Sequence, residues 1–470
     1  MEKPSHKQTR NLNPRAVVAA IAGLGILSAA VYLVNFRIHG LVPGFSGLSG
    51  IEFYVVMFGF LSVLYLGGVV LVLKTTPNVA TSRILIGIII LSAIIFRLSL
   101  LPADPRVLSN DMYRYIWDGR VQQNGMNPYQ YPPGADELKT MRDEKIFPNI
   151  NRKDHPTLYP AGAQVFFRIS HALVGDSVIG FKAIMVLFDT LTLLVLAALL
   201  QQHGLNRSRI IIYAWNPLVV FEIAYSGHLE GLTVFLMAAA LYLSIIHKKI
   251  PGVFMLALSA AIKIYPAVLL AAFLDRGGRI KGAFVFFFTI LLLYLPFIGA
   301  GNKISGFLPV YLKNPYESFN LGLKYLLMRL IPGIDYYLLS LVFIILLGIG
   351  GLVVLLKNKE DIEISWYAYF LTGLLMILMP ASLHPWYVIL IIPFLVIYPS
   401  AAWLLFTCTV TLSYLKYNSP LGIMPTWILL VEYLPLFALL AAGFIFRQYG
   451  ASRKISDLKF NPKKKEMAEV

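Results

Sequence analysis

Acidic, imidazole and aromatic side chains concentrate in four stretches between apolar runs or at their ends, at residues 109–129, 155–160, 215–231 and 382–387. A carboxylate can bind a sugar hydroxyl or take its proton, and an aromatic face packs against a sugar ring. An imidazole or a cation can stabilise the negative charge of a departing phosphate. This mixture of side chains predicts a site for a carbohydrate substrate.

Asp111 is the predicted general base, because an acceptor hydroxyl must lose its proton as it attacks a sugar carbon. Asp104 is the rival, but it stands in Pro102-Ala103-Asp104-Pro105, where a turn is its more natural role. Asp118 follows Asp111 by two helical turns and would share its face on a helix. A cap or an ion pair with Arg114 is the alternative for Asp118.

His384 is the preferred contact for a substrate phosphate, with Arg114 and Arg120 as further candidates. A histidine before a proline at a helix start is otherwise often a cap, and Trp386 and Tyr387 are typical of interfacial aromatic belts. Lys263 is costly inside an apolar segment and needs a partner. A structural ion pair and a contact with a lipid phosphate both remain open for it.

The composition places the chain in a membrane. Hydrophobic residues make up 58% of it and charged residues 14%, whereas soluble proteins average about 45–50% and about 25%. A soluble enzyme, a disordered chain and a collagen are therefore excluded. The single cysteine, Cys408, excludes an intrachain disulfide and a Cys-rich metal site. No metal-ligand spacing and no Gly-rich phosphate loop stand out, so neither a metal nor a cofactor is expected.

The formal charge of +16 does not indicate a nucleic-acid partner. Basic residues form short clusters beside the apolar runs, which is the pattern of cytoplasmic loops in membrane proteins. The partners expected from this pattern are membrane lipids. Both termini are expected in the cytoplasm.

Apolar runs predict an all-α polytopic membrane protein with about twelve transmembrane helices. The runs are 16–36, 51–73, 83–101, 179–200, 210–226, 229–246, 282–299, 335–356, 364–380, 385–398, 400–414 and 427–446. A further run, 251–274, has basic clusters at both ends and contains Lys263 and Pro266. It predicts a re-entrant pair of half-helices, and such broken helices need cover from protein or a cavity.

Four regions follow from this topology. Residues 1–82 hold an N-terminal cytoplasmic tail and two extra helices, and residues 83–400 form a catalytic membrane module. Residues 401–446 are C-terminal transmembrane helices, and 447–470 are a basic cytoplasmic tail. Within the module, the segment 102–178, here termed the outer loop, is expected outside the cytoplasm with short helices and turns.

Eight motifs occur in the order found in the GT-C superfamily of polyprenyl-phosphate-sugar-dependent glycosyltransferases, which the sequence therefore resembles. The likeness is greatest to the mannosyltransferase branch that includes the first mannosyltransferase of GPI-anchor assembly. The motifs are the outer-loop group Asp111, Tyr113, Tyr115 and Asp118, then Gly125-x-Asn127-Pro128-Tyr129, Leu158-Tyr159-Pro160, Trp215-Asn216-Pro217, Gly227-x-x-Glu230, Lys263-Ile264-Tyr265-Pro266, Ser318-Phe319-Asn320 and His384-x-Trp386-Tyr387. The paired-acid motif of the family has one acid here, in Asn110-Asp111-Met112-Tyr113.

The resemblance implies an inverting transfer of a hexose, expected to be mannose, from a polyprenyl-phosphate donor. The acceptor would be a glycan or glycolipid on the extracytoplasmic face of a plasma or inner membrane. Asp111 would be the catalytic residue. The residues expected to bind substrate are Tyr113, Arg114, Tyr115, Asp118, Arg120, Asn127, Tyr129, Tyr159, Glu230, Lys263, His384, Trp386 and Tyr387.

The leading alternative is a transporter or flippase of a lipid-linked sugar. It predicts charged residues near the middle of the membrane and an internal repeat, and no later copy of the pattern at 111–129 is found. An oligosaccharide ligase, a transferase for another polyprenyl-linked sugar and a purely structural membrane subunit also remain open.

Overall fold

The computed structural model describes residues 13–34, 48–76, 78–313, 319–419 and 422–460, with the backbone alone for 312–313 and 446–460. Within these ranges the regular elements are helices and no strand occurs. The predicted terminal tails up to residue 12 and from residue 461 lie outside the described residues, as do Ser318 of the seventh motif and the last two residues of the first apolar run.

The α-helices are numbered in chain order. They are α1 Pro14–Val34, α2 Gly50–Leu73, α3 Val79–Leu100, α4 Asp111–Gln123, α5 Ala161–Val174, α6 Val178–Gln202, α7 Ile211–Ala214, α8 Pro217–Val220, α9 Glu230–Ile245, α10 Lys249–Ile262, α11 Leu270–Phe273, α12 Arg279–Tyr294, α13 Leu308–Lys313, α14 Leu323–Leu330, α15 Tyr336–Leu356, α16 Ile364–Ile377, α17 Ile392–Ile397, α18 Ala401–Thr409 and α19 Thr426–Phe460.

Shorter helical segments connect them. The 3₁₀ segments are Pro105–Val107, Asp136–Met141, Phe147–Asn149, Arg207–Ile210, Tyr265–Leu269, Leu295–Ser305, Asp361–Glu363, Pro385–Ile391 and Val410–Asn418, and Phe221–Tyr225 is a π-helix.

Seven helices in the described part of the chain are long and apolar enough to cross a membrane. They are Pro14–Val34, Gly50–Leu73, Val79–Leu100, Val178–Gln202, the continuous stretch Arg279–Tyr311, Tyr336–Leu356 and Thr426–Ile445. The protein is thus a helical, multi-pass membrane protein. The number of twelve spans, and the side on which the termini lie, stay predictions.

The apolar run predicted as a span at 210–226 is a series of short helices, α7, α8 and the π-helix. Asn216 and Pro217 cause the interruption, because the side chain of Asn216 accepts the backbone N–H of Leu218 at 3.0 Å and Pro217 opens α8. Residues 211–234 are buried throughout. Cover by other helices allows this broken backbone at membrane depth.

The carbonyl groups freed by this break have buried partners. Arg97 Nη1 donates to Ala214 O at 2.8 Å, and the hydroxyl of Tyr65 donates to Ile212 O at 2.9 Å. The guanidinium of Arg97 also forms a salt bridge with Asp189 of α6, and the two side chains are 1% and 0% exposed. Tyr213 adds a hydrogen bond to Asp189 at 2.7 Å. These contacts tie α3, α6 and the broken run together.

The segment 249–275 bends back on itself. Helix α10 ends at Lys263, which has extended backbone, and the chain continues through a 3₁₀ turn into α11. Lys249 Nζ at the start of the segment lies 2.8 Å from Asp275 Oδ2 at its end. Both ends therefore lie on one side of the molecule, as two half-helices require. Their cytoplasmic placement stays a prediction.

The outer loop has helical structure of its own. Helix α4 is buried from Met112 to Gln122 and packs against α5. Helix α5 in turn approaches α10 closely, since a Cβ on Gly162 would lie 2.7 Å from Ala261 O. Asp111 and Asp118 both belong to α4, so the condition for their sharing a helix is met. This packing fixes the start of α4 against the turn at Lys263.

Candidate active site

A cavity of about 1010 Å³ opens beside the start of α4. Its wall combines outer-loop segments at 106–111, 151–152 and 158–160 with the turn at 263–268 and the stretch 379–387, and α15 closes one side. Six of the predicted site residues line it: Asp111, Tyr159, Lys263, His384, Trp386 and Tyr387.

Asp111 occupies the first position of α4. Its Oδ1 accepts a hydrogen bond from Asn151 Nδ2 at 2.7 Å, and its backbone N–H donates to Ser109 Oγ at 3.2 Å. A helix N-terminus favours a negative charge at this position. Among the described residues that line the cavity, Asp111 is the one with an acidic side chain. It therefore meets the positional requirement for a base.

Asp104 has a different role from that of a cavity carboxylate. It caps the 3₁₀ turn by accepting the N–H of Arg106 at 3.0 Å, and its Oδ2 lies 2.5 Å from Arg106 Nη2. Partial burial raises the pKa of Asp104, but these contacts with Arg106 outweigh it and bring the pKa below its usual value. It does not line the cavity. The turn role expected from Pro102-Ala103-Asp104-Pro105 is what the structure contains.

Asp118 and Arg114 form a buried ion pair behind the cavity wall, with Arg114 Nε 2.8 Å from Asp118 Oδ1. Gln164 Nε2 donates to the other oxygen of Asp118 at 2.9 Å and to Thr157 Oγ1 at 2.7 Å. Neither member of the ion pair lines the cavity. Through these hydrogen bonds the ion pair links α4 to α5 and to the segment that precedes Tyr159.

Arg120 also binds within the outer loop and does not line the cavity. Its Nη2 lies 2.7 Å from Asp143 Oδ2 and 3.0 Å from Asp176 Oδ1. Partial burial raises the pKa of Asp143, but hydrogen bonds from Arg120 and from the backbone N–H groups of Phe147 and Ile146 lower it to about 2. Arg120 is thus held by carboxylates of the loop.

Four further predicted site residues support the wall from behind. The hydroxyl of Tyr129 donates to Tyr159 O at 2.7 Å, and Asn127 Nδ2 donates to Phe297 O at 3.2 Å. Tyr115 stacks on Phe167 with ring centroids 4.9 Å apart. Tyr113 is 7% exposed. Of these residues and their partners, Tyr159 alone lines the cavity.

Lys263 has the partner that its position requires. Its Nζ lies 3.0 Å from Glu230 Oε1, and Glu230 is fully buried at the start of α9. The ammonium group is also 5.4 Å from the ring centroid of Tyr387. Lys263 lines the cavity whereas Glu230 does not. The pair therefore presents a cation at the cavity wall and keeps its carboxylate behind it.

Near-parallel rings continue from the cavity wall into the bundle. The ring centroid of Trp386 lies 4.1 Å from that of His228 and 4.4 Å from that of His384. The ring centroids of His384 and Phe319 are 4.8 Å apart. Removal from water, together with the positive charges of Lys263 and Arg152, lowers the pKa of His384 to about 3. At neutral pH its imidazole is therefore uncharged.

Sequence reasoning missed several residues that line the cavity, among them Arg106, Asn151, Arg152 and Tyr311. Arg152 has a φ of 47°, a region that non-glycine residues seldom adopt, and its guanidinium lies 5.4 Å from the ring centroid of Tyr311. The hydroxyl of Tyr311 is 3.4 Å from His384 Nε2. In the sequence, Asn151-Arg152 has the composition of a polar turn, and this composition does not indicate a functional site.

The two sides of the cavity differ in chemistry. Arg106, Arg152 and Lys263 line the cavity, with Arg106 paired with Asp104 and Lys263 paired with Glu230. Apolar side chains of α15, α16, the 3₁₀ turn and the stretch after α16 form much of the remaining wall: Val268, Ile344, Leu347, Leu375 and Met379. Such a cavity fits a molecule with an anionic group and a long apolar part.

Within the described residues, no group of three or more His, Cys, Asp or Glu side chains is placed to hold a metal ion. The cations of the cavity wall are those that could stabilise a phosphate.

A family described as alpha-(1->6)-mannopyranosyltransferase, N-terminal domain, matches residues 16–275, which is 260 of the 470 residues. The matched range begins in α1 and so includes the two helices that precede the resemblance found in the motifs. It contains Asp111, Glu230 and Lys263 and ends before His384. No curated protein and no solved structure matches the chain.

Proposed function

Since the chain belongs to the alpha-(1->6)-mannopyranosyltransferase family, we propose that it transfers mannose from a polyprenyl-phosphate donor to a hydroxyl of a glycan or glycolipid. The reaction takes place on the extracytoplasmic face of the membrane, in a GT-C-like fold. We propose an α-(1→6) linkage in the product, following the description of the family.

One observation supports the lipid-linked donor above the others: a single cavity joins a cationic end to an apolar wall. The apolar wall reaches the exposed surface of the bundle, where Ile264 is 47% and Ile344 54% exposed. A polyprenyl chain could enter there from the bilayer while its phosphate reaches the cationic end. A nucleotide-linked sugar has no part that would use the apolar wall.

Asp111 acts as the base in the proposed reaction. It takes the proton of the acceptor hydroxyl as that oxygen forms a bond to the anomeric carbon. The bond from the anomeric carbon to the phosphate oxygen breaks on the opposite face, and the polyprenyl phosphate leaves with the electron pair. The configuration inverts, and no general acid is required because the phosphate is already a good leaving group.

The cations of the wall stabilise the departing phosphate. Arg152 and Lys263 supply the positive charge, and His384 supplies a hydrogen bond. Tyr387 and Tyr159 offer aromatic surface to the sugar. Trp386 supports His384 instead, because His228 and His384 stack on it.

Purified protein in liposomes provides the direct test. We expect it to extend a tagged α-(1→6)-dimannoside by one hexose when polyprenyl-phosphate mannose is supplied, with no product from nucleotide-linked mannose. Mass spectrometry and linkage analysis of the product check both points. Use of the nucleotide-linked donor, or movement of lipid-linked mannose across the bilayer without transfer, would contradict the proposal.

The pair of Lys263 and Glu230 gives a prediction about the phosphate end. Lys263→Met leaves a buried carboxylate unpaired and lowers thermal stability, whereas the double variant Lys263→Met/Glu230→Gln regains stability because no charge stays buried. We expect transfer by the double variant to stay at least about tenfold below the wild type, since one lost charged hydrogen bond is worth about that factor.

Thermal unfolding in detergent and the transfer assay separate the two roles of Lys263. Glu230→Gln alone serves as the matched control, because it retains the lysine at the cavity wall. Full activity in the stable double variant would show that Lys263 has a structural role only.

A further inference from the structure

Glu432 is a buried acid in α19, outside the residues of the family match. It is 1% exposed, while Val431 and Leu434 on the same helix are 44% and 56% exposed. An ionisable residue inside a membrane helix is costly and is retained where it has a specific partner. Within the described residues, none of the salt bridges includes Glu432, so its partners are neutral groups.

Asn320 and Ser413 are the partners of Glu432. Asn320 Nδ2 donates to Glu432 Oε2 at 2.7 Å, and the hydroxyl of Ser413 donates to Oε1 at 2.6 Å. Asn320 Nδ2 also donates to Ser413 Oγ at 2.7 Å. These hydrogen bonds join α19, the 3₁₀ segment Val410–Asn418 and the stretch that precedes α14.

Both oxygen atoms of Asn320 accept hydrogen bonds as well. Its Oδ1 accepts the N–H of Gly322 at 2.9 Å and the hydroxyl of Tyr433 at 3.2 Å, and its carbonyl accepts the N–H of Leu383 at 2.7 Å. Gly322 has a φ of 53°, and a Cβ there would lie 2.8 Å from the hydroxyl of Tyr433. The short stretch 319–322 is therefore fixed in one position against α19.

This stretch holds the wall of the cavity. The N–H of Phe319 donates to Ser382 Oγ at 2.8 Å, and the ring of Phe319 lies 17° from parallel to that of His384. Ser382 and His384 both line the cavity. A continuous series of contacts thus runs from Glu432 through Asn320 and Phe319 to His384.

We propose that Glu432 is a positioning residue for the transfer site: through Asn320 it holds the stretch 319–322 against 382–384 and so sets the orientation of the His384 imidazole at the donor phosphate. The acid is needed because Asn320 and Ser413 each direct a donor at this position. If glutamine replaced Glu432, its N–H group would face one of those donors, and two donors would then stand opposite each other. This inference rests on the proposed mannosyl transfer.

A double-mutant cycle tests the proposal in the full-length protein with polyprenyl-phosphate mannose. Glu432→Gln is expected to lower kcat about tenfold to 100-fold, because a displacement of about 1 Å in a site can cost about 10² in rate. His384→Ala is expected to cause a similar loss. In the His384→Ala background, Glu432→Gln should cause almost no further loss, since coupled residues are not additive.

The swapped variant Asn320→Asp/Glu432→Gln provides the rescue. There the amide donates to the carboxylate, and activity should rise above that of either single variant. Glu363→Gln, which changes an exposed acid in the capping box before α16, is the matched control and should retain wild-type activity. If Glu432→Gln fails to insert, Ser413→Ala removes one hydrogen bond of the same network and enters the cycle in its place.

Losses that multiply in the double variant, full activity of His384→Ala, or a swapped variant no more active than the single ones would overturn the proposal. An inactive wild-type protein would instead refute the proposed mannosyl transfer itself. The two failures are therefore distinguishable.

Discussion

Asp111→Asn lowers kcat for mannosyl transfer by about 10²–10⁴-fold, the usual contribution of a general base, and leaves expression and membrane insertion unchanged. The amide retains the size of the side chain and can still accept the hydrogen bond from Asn151. What it loses is the basicity that removes the acceptor proton. Single-turnover measurements with the lipid-linked donor in the same membranes give the rate of the chemical step.

Asp104→Asn is the matched control for this prediction. It changes the nearest rival carboxylate, which caps a turn and does not line the cavity, and it should retain near-normal turnover. Asp118→Asn should instead lower stability, because it leaves Arg114 buried without its counter-charge. If Asp104→Asn is inactive while Asp111→Asn turns over normally, Asp104 is the base.

Arg97→Met should destabilise the protein by about 3–5 kcal/mol, the usual cost of removing one partner of a buried ion pair. Asp189 would stay buried without a cation, and the carbonyls of Ala93 and Ala214 would lose the donors that lie 3.1 Å and 2.8 Å away. Unfolding of the purified protein in mixed micelles, followed by circular dichroism, measures the change.

Arg83→Met controls for the loss of an arginine from the same helix. Arg83 is exposed near the start of α3, so its replacement should change the unfolding free energy little. The double variant Arg97→Met/Asp189→Asn should recover part of the loss, because no charge stays buried. An Arg97→Met protein as stable as the wild type would mean that the ion pair contributes little to the fold.

The membrane class and most helix positions could be predicted from the sequence, since apolar runs of about 20 residues are rare outside membrane proteins. The broken run at 210–226 could not, because hydropathy does not distinguish a straight apolar helix from a bent one that other helices cover. Asn216-Pro217 is the available signal, since a capping residue followed by proline is typical of a helix start. Lys263 and Pro266 predict a break, and the structure has its turn there.

Six of the fourteen expected site residues line the cavity. There is a physical reason why residue type and spacing did not separate these six from the others. Arg114 and Asp118 are four residues apart on a helix, a spacing that suits an ion pair as well as a substrate contact. Sequence alone does not decide between an ion pair and a substrate contact. Arg152 was missed for the opposite reason, since a polar turn gives no sign that the fold will direct it at His384 and Tyr311.

The ion pair of Arg97 and Asp189 also affects how the helices can insert into the membrane during synthesis. The two residues are 92 positions apart in the chain, so at about 5–20 residues per second the ribosome needs about 5–18 s to supply the partner of Arg97. During that interval α3 carries an unpaired cation, which is costly in lipid. We therefore expect α3 to remain at the insertion machinery, or beside α1 and α2, until α6 has been synthesised.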